Sequence, residues 1–399
     1  MEGFFYFYAM SNMNVILFDG PDRVNFLPLS FTRPLAELRV GILTIREKWE
    51  FHLKSSCSAL TEDYLQKKYP LITTEDNLWI DAQCLPARSL VSAVFKLKLG
   101  QGLQWKDRII AYRTVNRESL EELIPFDEEF VYLQHTYDLF RMNELALNDD
   151  FNLVTFGRQS AQLPDCVKTT NPDQIFVEPG ARFGHAILNA STGPIYIGKN
   201  AEVMDGCMVR GGLSLGEGSV LKMGAKIYGS TTIGPHCKVG GEVNNSVLLG
   251  YSNKGHDGFL GNSVIGTWCN LGADTNTSNL KNNYEEVKLW NYGSLNFAKT
   301  GLQFCGLMLG DHSKCGINTM FNTGTVVGVS ANIFGSGFPR NFVPSYSWGG
   351  HSGFQEFNFS KALSVAKAVM VRRGETLTEL DTDILKHVFD QTINFRSSY

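Results

Sequence analysis

The chain has 399 residues, 43% of them hydrophobic and 19% charged, with a formal net charge of -4. That length suits two or three domains with cores of their own, and the near-balanced charge gives no argument for nucleic acid or an anionic membrane surface. No apolar run approaches a membrane span, and the eight scattered cysteines, with no C-x-x-C pair, read as reduced thiols of a cytoplasmic protein.

The first element in chain order is apolar Phe4–Met10, which follows Glu2 and lacks a basic leader and an A-x-A cleavage site. Residues 1–12 are therefore predicted to be a poorly ordered extension rather than a signal peptide, with Met13 as an alternative start. Residues 13–170 read as an α/β domain. Val15–Phe18 is a buried strand running into Asp19-Gly20-Pro21, a helical pattern covers Pro34–Trp49, and short strands fall at Leu78–Ile80 and Phe130–Leu133. Asp138–Asn148 reads as a helix, and the stretch from Gln159 to Pro172, with two prolines and no period, as a linker. A strand followed by a turn and by Arg23 and Arg33 could cradle phosphates, although the turn is neither G-x-G-x-x-G nor a P-loop. Asp81, just after a strand, is a candidate Mg2+ carboxylate; a turn-forming role is the plainer alternative.

From Ile197 an aliphatic residue returns every sixth position, through Val203, Val209, Leu215, Leu221, Ile227 and Ile233 to Val239. The beat falters, then resumes at Phe259, Ile265 and Leu271 and again from Leu309 to Ile333. A period of six belongs to a parallel β-helix, in which each repeat makes one flat side of a prism. Residues 171–358 are predicted to form it, with Cys207, Cys237, Cys269 and Cys315 as small apolar fillers. A polar, Asn-rich excursion at about Asn276–Leu302 interrupts the coils, and such loops commonly build sites. Residues 359–399 read as C-terminal helices on either side of Gly374.

His256 lies among glycines where the beat slips, so its side chain should stand outside the prism; a solvated loop histidine is the alternative. Asn270 precedes an inward Leu271 and should face outward, most of a coil later. A histidine base with an amide donor nearby suits acyl transfer to an amine, the base taking the ammonium proton and the donor holding the oxyanion. An Asn at a coil corner also serves simply to tolerate left-handed dihedrals. A zinc site built from His185, His236, His256, His312 and His351 would need them to meet at a subunit edge, because they share no ligand spacing.

The strand–turn–Arg-Pro segment, followed by coils carrying K-G-H-x-x-F-L-G, C-N-L-G-A and T-N-T-S-N-L-K-N-N-Y, resembles a known family. It is that of the bifunctional glucosamine-1-phosphate acetyltransferase/N-acetylglucosamine-1-phosphate uridyltransferases, and more closely its divergent Bacteroidetes-type branch. The resemblance spans about residues 14–392. It implies a nucleotidyltransferase-like α/β domain and then a left-handed, trimeric β-helix with acetyl-CoA between neighbouring prisms. The implied substrates are an NTP, a sugar-1-phosphate and acetyl-CoA, with Mg2+ for nucleotidyl transfer, no nucleic acid and no membrane insertion. It carries His256 onto the general base, Asn270 onto the site asparagine, Asn279 onto the substrate loop and Arg210 onto a phosphate-holding arginine.

The sequence also departs from that pattern. Phe259 stands at a site tyrosine, and Asn244 where a lysine is expected, for which Lys254, Lys281 or Lys288 could substitute. Arg33 stands for the phosphate-contacting lysine, and Asp81 for the metal aspartate. Three functions remain in view: a nucleotidyltransferase fused to an N-acetyltransferase of amino-sugar phosphates, a nucleotidyltransferase whose β-helix serves trimerisation or regulation, and a non-catalytic sugar-nucleotide-binding assembly protein.

Overall fold

The computed structural model describes residues 13–396, so the extension expected at 1–12 lies outside the described residues. The chain divides into two compact units. One comprises residues 13–23, 33–38 and 43–134, and the other residues 24–32, 39–42 and 135–396.

The first unit is built on a six-stranded sheet. Its strands are β1 (Asn14–Phe18), β2 (Cys57–Leu60), β3 (Asn77–Asp81), β4 (Gln101–Trp105), β5 (Arg108–Thr114) and β6 (Glu122–Pro125), in the order β2-β1-β3-β5-β4-β6. β1 runs parallel to both β2 and β3, while β5 is antiparallel to β3 and β4. All five residues of β3 are buried, as a strand covered on both faces requires. Three helices, α1 (Ile45–Leu53), α2 (Asp63–Gln66) and α3 (Arg88–Lys96), complete the unit.

The helix expected over Pro34–Trp49 begins only at Ile45. Thr44 accepts from the Glu47 N–H while Glu47 reaches back to the Thr44 N–H, a capping box that fixes the start, and Gly41 upstream sits at a φ of 74°. Phe130–Leu133 contributes an isolated bridge, Cys84 to Tyr132, rather than a strand.

The second unit is a parallel β-helix flanked by helices. Short strands stack into three parallel sheets of six, nine and ten strands, the last ending in an antiparallel pair. The six-residue beat is the inward row up to the slip, after which Leu260 and not Phe259 takes the inward place: Leu188, Val209, Ile227, Val243 and Leu260 stack on one face, and Ile197, Leu215, Ile233, Leu248, Ile265 and Leu309 on another. These residues form one continuous core. The beat slips because the coil after Ile233 is shortened, and on the third face the residue paired with Val239 is Lys254.

At one corner a column of rings runs His236, Tyr251, Trp268, His312, with centroids 4.8, 4.2 and 6.4 Å apart. Each of the four sits at a positive φ, the backbone this corner demands. The excursion folds into an antiparallel hairpin, Lys288–Asn291 against Asn296–Lys299.

Helices α4 (Asp138–Arg141) and α5 (Asn143–Thr155) belong to this unit. Asn143 donates to the Ser230 carbonyl at 2.7 Å and accepts from Thr232 at 3.0 Å. At the C-terminus lie α6 (Phe359–Val371), α7 (Glu379–Gln391) and α8 (Ile393–Arg396), and the Tyr346 hydroxyl donates to the Leu385 carbonyl of α7 at 2.8 Å. Among the described residues no helix is long and apolar enough to cross a membrane.

Candidate functional sites

In the first unit β1 has β2 on one side and β3 on the other, so the strand order reverses between β1 and β3. Ligands of open α/β sheets bind outside the carboxyl ends of strands at such a switch. There the sequence places Asp19-Gly20 and Asp81. A Cβ on Gly20 would lie 2.7 Å from both Asp81 carboxylate oxygens and 2.3 Å from Gln83 Oε1, so a side chain at this position would displace the Asp81 carboxylate and the Gln83 amide.

Asp19 organises the loop. It accepts from Arg23 Nε at 2.8 Å, the Thr61 hydroxyl at 2.5 Å and the Leu35 N–H at 2.7 Å, and burial raises its pKa against the pull of Arg23. Asp81 is 1% exposed and accepts from Tyr132 Oη and the Gln83 N–H, both at 2.9 Å. Burial lifts its carboxyl to about 7, despite those hydrogen bonds and the nearby Arg108. Arg108 in turn bridges the Tyr132 hydroxyl at 3.1 Å and Asp22 at 2.8 Å.

Arg33, by contrast, is 9% exposed, so its guanidinium does not stand out from the surface as a phosphate hook would. Tyr132, Arg108 and Thr61 went unread in the sequence because each reaches the cluster from a distant segment with no motif of its own. For a divalent cation the donors are hard oxygens, but among the described residues no three His, Cys, Asp or Glu side chains converge. The set fits Mg2+ only as an ion that arrives with nucleotide phosphates and takes Asp81 as its protein carboxylate.

In the second unit His256 is exposed at a corner whose backbone is pinned. Lys254 Nζ donates to the His256 carbonyl at 2.6 Å from inside the prism, and the Asp274 N–H of the next coil donates to the Asp257 carbonyl at 3.0 Å. Gly258, at a φ of 111°, lies so close to the Thr275 backbone that a Cβ would meet its carbonyl oxygen at 2.2 Å.

Asn270 stacks on Asn253, its side-chain carbonyl accepting from the Asn253 amide at 2.8 Å, and it is half-buried. One rung of roughly 4.8 Å and three residues of chain separate Asn270 from His256. Phe259 and Asn279 are brought together: the ring of one and the amide of the other both lie 2.6 Å from where a Gly261 Cβ would stand. Asn279 also donates to Asn262 at 2.8 Å.

Two sequence candidates are placed elsewhere. Arg210 shares a sheet with Gly261 but stands three rungs away, through Tyr228 and Asn244, or about 14 Å. Lys254 is 2% exposed, on the inward row; its ammonium holds a carbonyl and is not presented to an acceptor phosphate, which corrects the substitution offered for it above. Burial lowers its pKa to about 8. The histidines do not gather either. His236 and His312 belong to the ring column, His185 faces Asp205 at 3.3 Å, and His351 contacts the Phe338 carbonyl at 3.0 Å.

Compared with known proteins, residues 15–159 match the family model described as sugar nucleotidyl transferase. No curated protein matches. Among solved structures, a UDP-N-acetylglucosamine acyltransferase from Campylobacter jejuni aligns at 13% identity over 54% of this chain and 96% of its own, with a TM-score of 0.25. The UDP-N-acetylglucosamine acyltransferase of Arabidopsis aligns at 14% identity over 59% of this chain and 92% of its own, with a TM-score of 0.22.

Proposed function

We propose that the chain is a transferase of activated-sugar synthesis whose first unit joins an NTP to a sugar-1-phosphate, giving an NDP-sugar and pyrophosphate. The observation that carries this reading is a coincidence of place. The stretch that matches a sugar nucleotidyl transferase model contains the switch point where Gly20 presses against Asp81.

An oxygen of the sugar phosphate attacks the α-phosphorus, and the bond to the β-phosphate oxygen breaks with pyrophosphate as leaving group. Gly20, with no Cβ, leaves room for the Asp81 carboxylate against the loop, and Asp19 with Arg23 holds that loop in shape. Bound Mg2+ would supply charge neutralisation across the phosphates, with Asp81 as its ligand and Tyr132 and Arg108 orienting that carboxylate. Incubating the full chain with a matrix of NTPs and sugar-1-phosphates, read by mass spectrometry, should reveal at least one NDP-sugar, and Asp81→Asn should remove it. No product from any pair would leave the non-catalytic binding protein as the better reading.

A second activity, transfer of an acetyl group from acetyl-CoA to an amino-sugar phosphate, is supported by the exposed His256 and by Asn270 on the next rung, three residues back along the coil. His256 takes the ammonium proton as nitrogen attacks the thioester carbon, Asn270 holds the oxyanion, and the CoA thiol leaves. Phe259 and Asn279 would line the acceptor sugar, and a trimer would bring a second prism to the acetyl-CoA. Thiol release from acetyl-CoA with glucosamine-1-phosphate should vanish in His256→Ala, while nucleotidyl transfer and the melting curve stay as in wild type. Undiminished acetylation by that variant would sink this second activity and leave the β-helix as a trimerisation or regulatory domain.

A further inference from the structure

In a chain whose net charge is -4, four cations gather on one side of the β-helix: Lys222, Lys238, Arg372 and Arg373. Lys238 is the exposed, outward residue of the strand Lys238–Val239, and Val239 points into the core. Arg373, just past the end of α6, donates from Nη1 to the carbonyl of His236, two residues before Lys238. Lys222 lies one rung below Gly240, two residues after Lys238; its Cβ is 3.1 Å from where a Gly240 Cβ would stand. The three side chains thus span a single face of the prism, from one corner to the next.

Their charge is not offset locally. Among the described residues the charges that act on Lys238 are all positive: Arg373 most, and Lys222 and Arg372 less, hold its ammonium below the usual lysine range, with burial adding to their effect. Glu375, the acid nearest to Arg373 in the chain, accepts instead from the Tyr251 hydroxyl at 3.1 Å. Repulsion between like charges opposes such a gathering, and a bound anion with several oxygens relieves it.

The cations also have a telling place. Directly above Gly240 comes Gly255, whose carbonyl oxygen lies 2.7 Å from the same missing Cβ, and His256 is the next residue. Only glycines separate Lys222 from the corner that carries His256. On the face itself, the outward row above Lys238 continues with Asn253 and then Asn270. Lys222 and Lys238 therefore lie two rungs, roughly 10 Å, below the histidine corner and the asparagine.

Both substrates of the acetyl transfer proposed above, CoA thioester and amino-sugar phosphate, carry phosphate. We propose that Lys222, Lys238 and Arg373 bind a phosphate group of one of these two substrates at the foot of the His256 site. The part this subsite plays in turnover rests on that second activity, whereas phosphate binding by these cations does not.

Calorimetric titration of the full chain carrying His256→Ala, with CoA and separately with glucosamine-1-phosphate, reads binding apart from chemistry. The ligand whose affinity depends on the lysines identifies the source of the phosphate. Lys222→Ala and Lys238→Ala should each weaken that ligand on the order of tenfold, and Lys238→Arg should restore most of the loss. Lys226→Ala, at an exposed lysine of a neighbouring face, should change nothing. With His256 present, the same two alanine variants should raise KM for that substrate and leave kcat nearly unaltered. Binding of neither ligand at millimolar concentration would overturn the proposal, as would an equal loss in Lys226→Ala. Thiol release intact in wild type, with both lysine variants binding as tightly as their parent, would overturn the subsite alone. Lysine-dependent binding in a wild-type chain that releases no thiol would overturn the acetyl transfer and leave the phosphate site standing.

Discussion

Asp81 is the residue on which the first unit's chemistry and stability meet. An acid whose folded pKa stands at about 7 against a usual 3.8 holds its proton in the folded chain at pH values where the unfolded chain has released it. Stability therefore falls as pH rises from about 4 to about 7 and is level above that, a total on the order of 4 kcal/mol. Asp81→Asn removes the titration, so the decline should flatten and the variant should melt above wild type at pH 8, as thermal scans across pH 4–9 would check. The same proton must leave before the carboxylate can take a cation. Nucleotidyl transfer should accordingly climb through pH 7 in wild type. Melting curves for the two proteins that stay parallel across the whole range would show that Asp81 does not titrate there. The sequence offered Asp81 only as an acid after a strand. Its depth and its Tyr132 partner come from strand order, which no local pattern encodes.

At the scale of the element, the coil Leu248–Leu260 shows what a period can and cannot reveal. The inward rows were legible from Ile197 to Val239 because each inward position excludes everything except a compact apolar side chain. The slip was legible as well, but not its content: Lys254 takes an inward place, and a lysine read along the chain looks like a surface charge. Inside the prism its ammonium braces the corner that carries His256.

A lysine whose folded pKa is lowered to about 8 binds fewer protons than the unfolded chain between there and the usual 10.5, so stability should rise with pH across that window. Lys254→Met should remove that rise. At pH 7 it trades the buried charge, on the order of 3 kcal/mol, for the lost carbonyl bond of about 1 kcal/mol, for a modest net gain in stability. Acetyl transfer should nonetheless fall, because the unbraced corner no longer fixes where the imidazole stands. A variant both less stable and fully active would refute the bracing role. The hairpin at Lys288–Lys299 was legible only as a polar interruption, since its lysine and aromatic pairs become one surface only through the strand register.

For the whole molecule, the chain order is not the order of the units. Reading the sequence left to right placed one domain over 13–170, but the chain moves between the two units repeatedly before settling in the second at residue 135. Residues 24–32 and 39–42 belong to the second unit, where Phe26, Leu29 and Phe31 are buried. The Gly41 and Ile42 N–H groups there donate to Asn143 and Asp150 at 2.7 and 2.8 Å, and Thr232 donates to the Gly41 carbonyl at 2.8 Å.

Cutting after residue 134 would take Asn143, Asp150 and Thr232 from those backbone groups, a net loss of about 1 kcal/mol per bond, and would open to water the Phe31 ring, which meets Tyr292 edge-on at 5.4 Å. Against a typical total of about 5–15 kcal/mol, such a loss is a large fraction. A fragment of residues 13–134, although it contains every strand of the first sheet, should therefore aggregate or melt without a cooperative transition. In the full chain Asn143→Ala, which orphans the Gly41 N–H and the Ser230 carbonyl, should lower the midpoint of denaturant unfolding by the equivalent of roughly 2–4 kcal/mol. A soluble 13–134 fragment with a sharp melt would show that residues 24–32 and 39–42 do not need Asn143, Asp150 and Thr232 for the first sheet to fold.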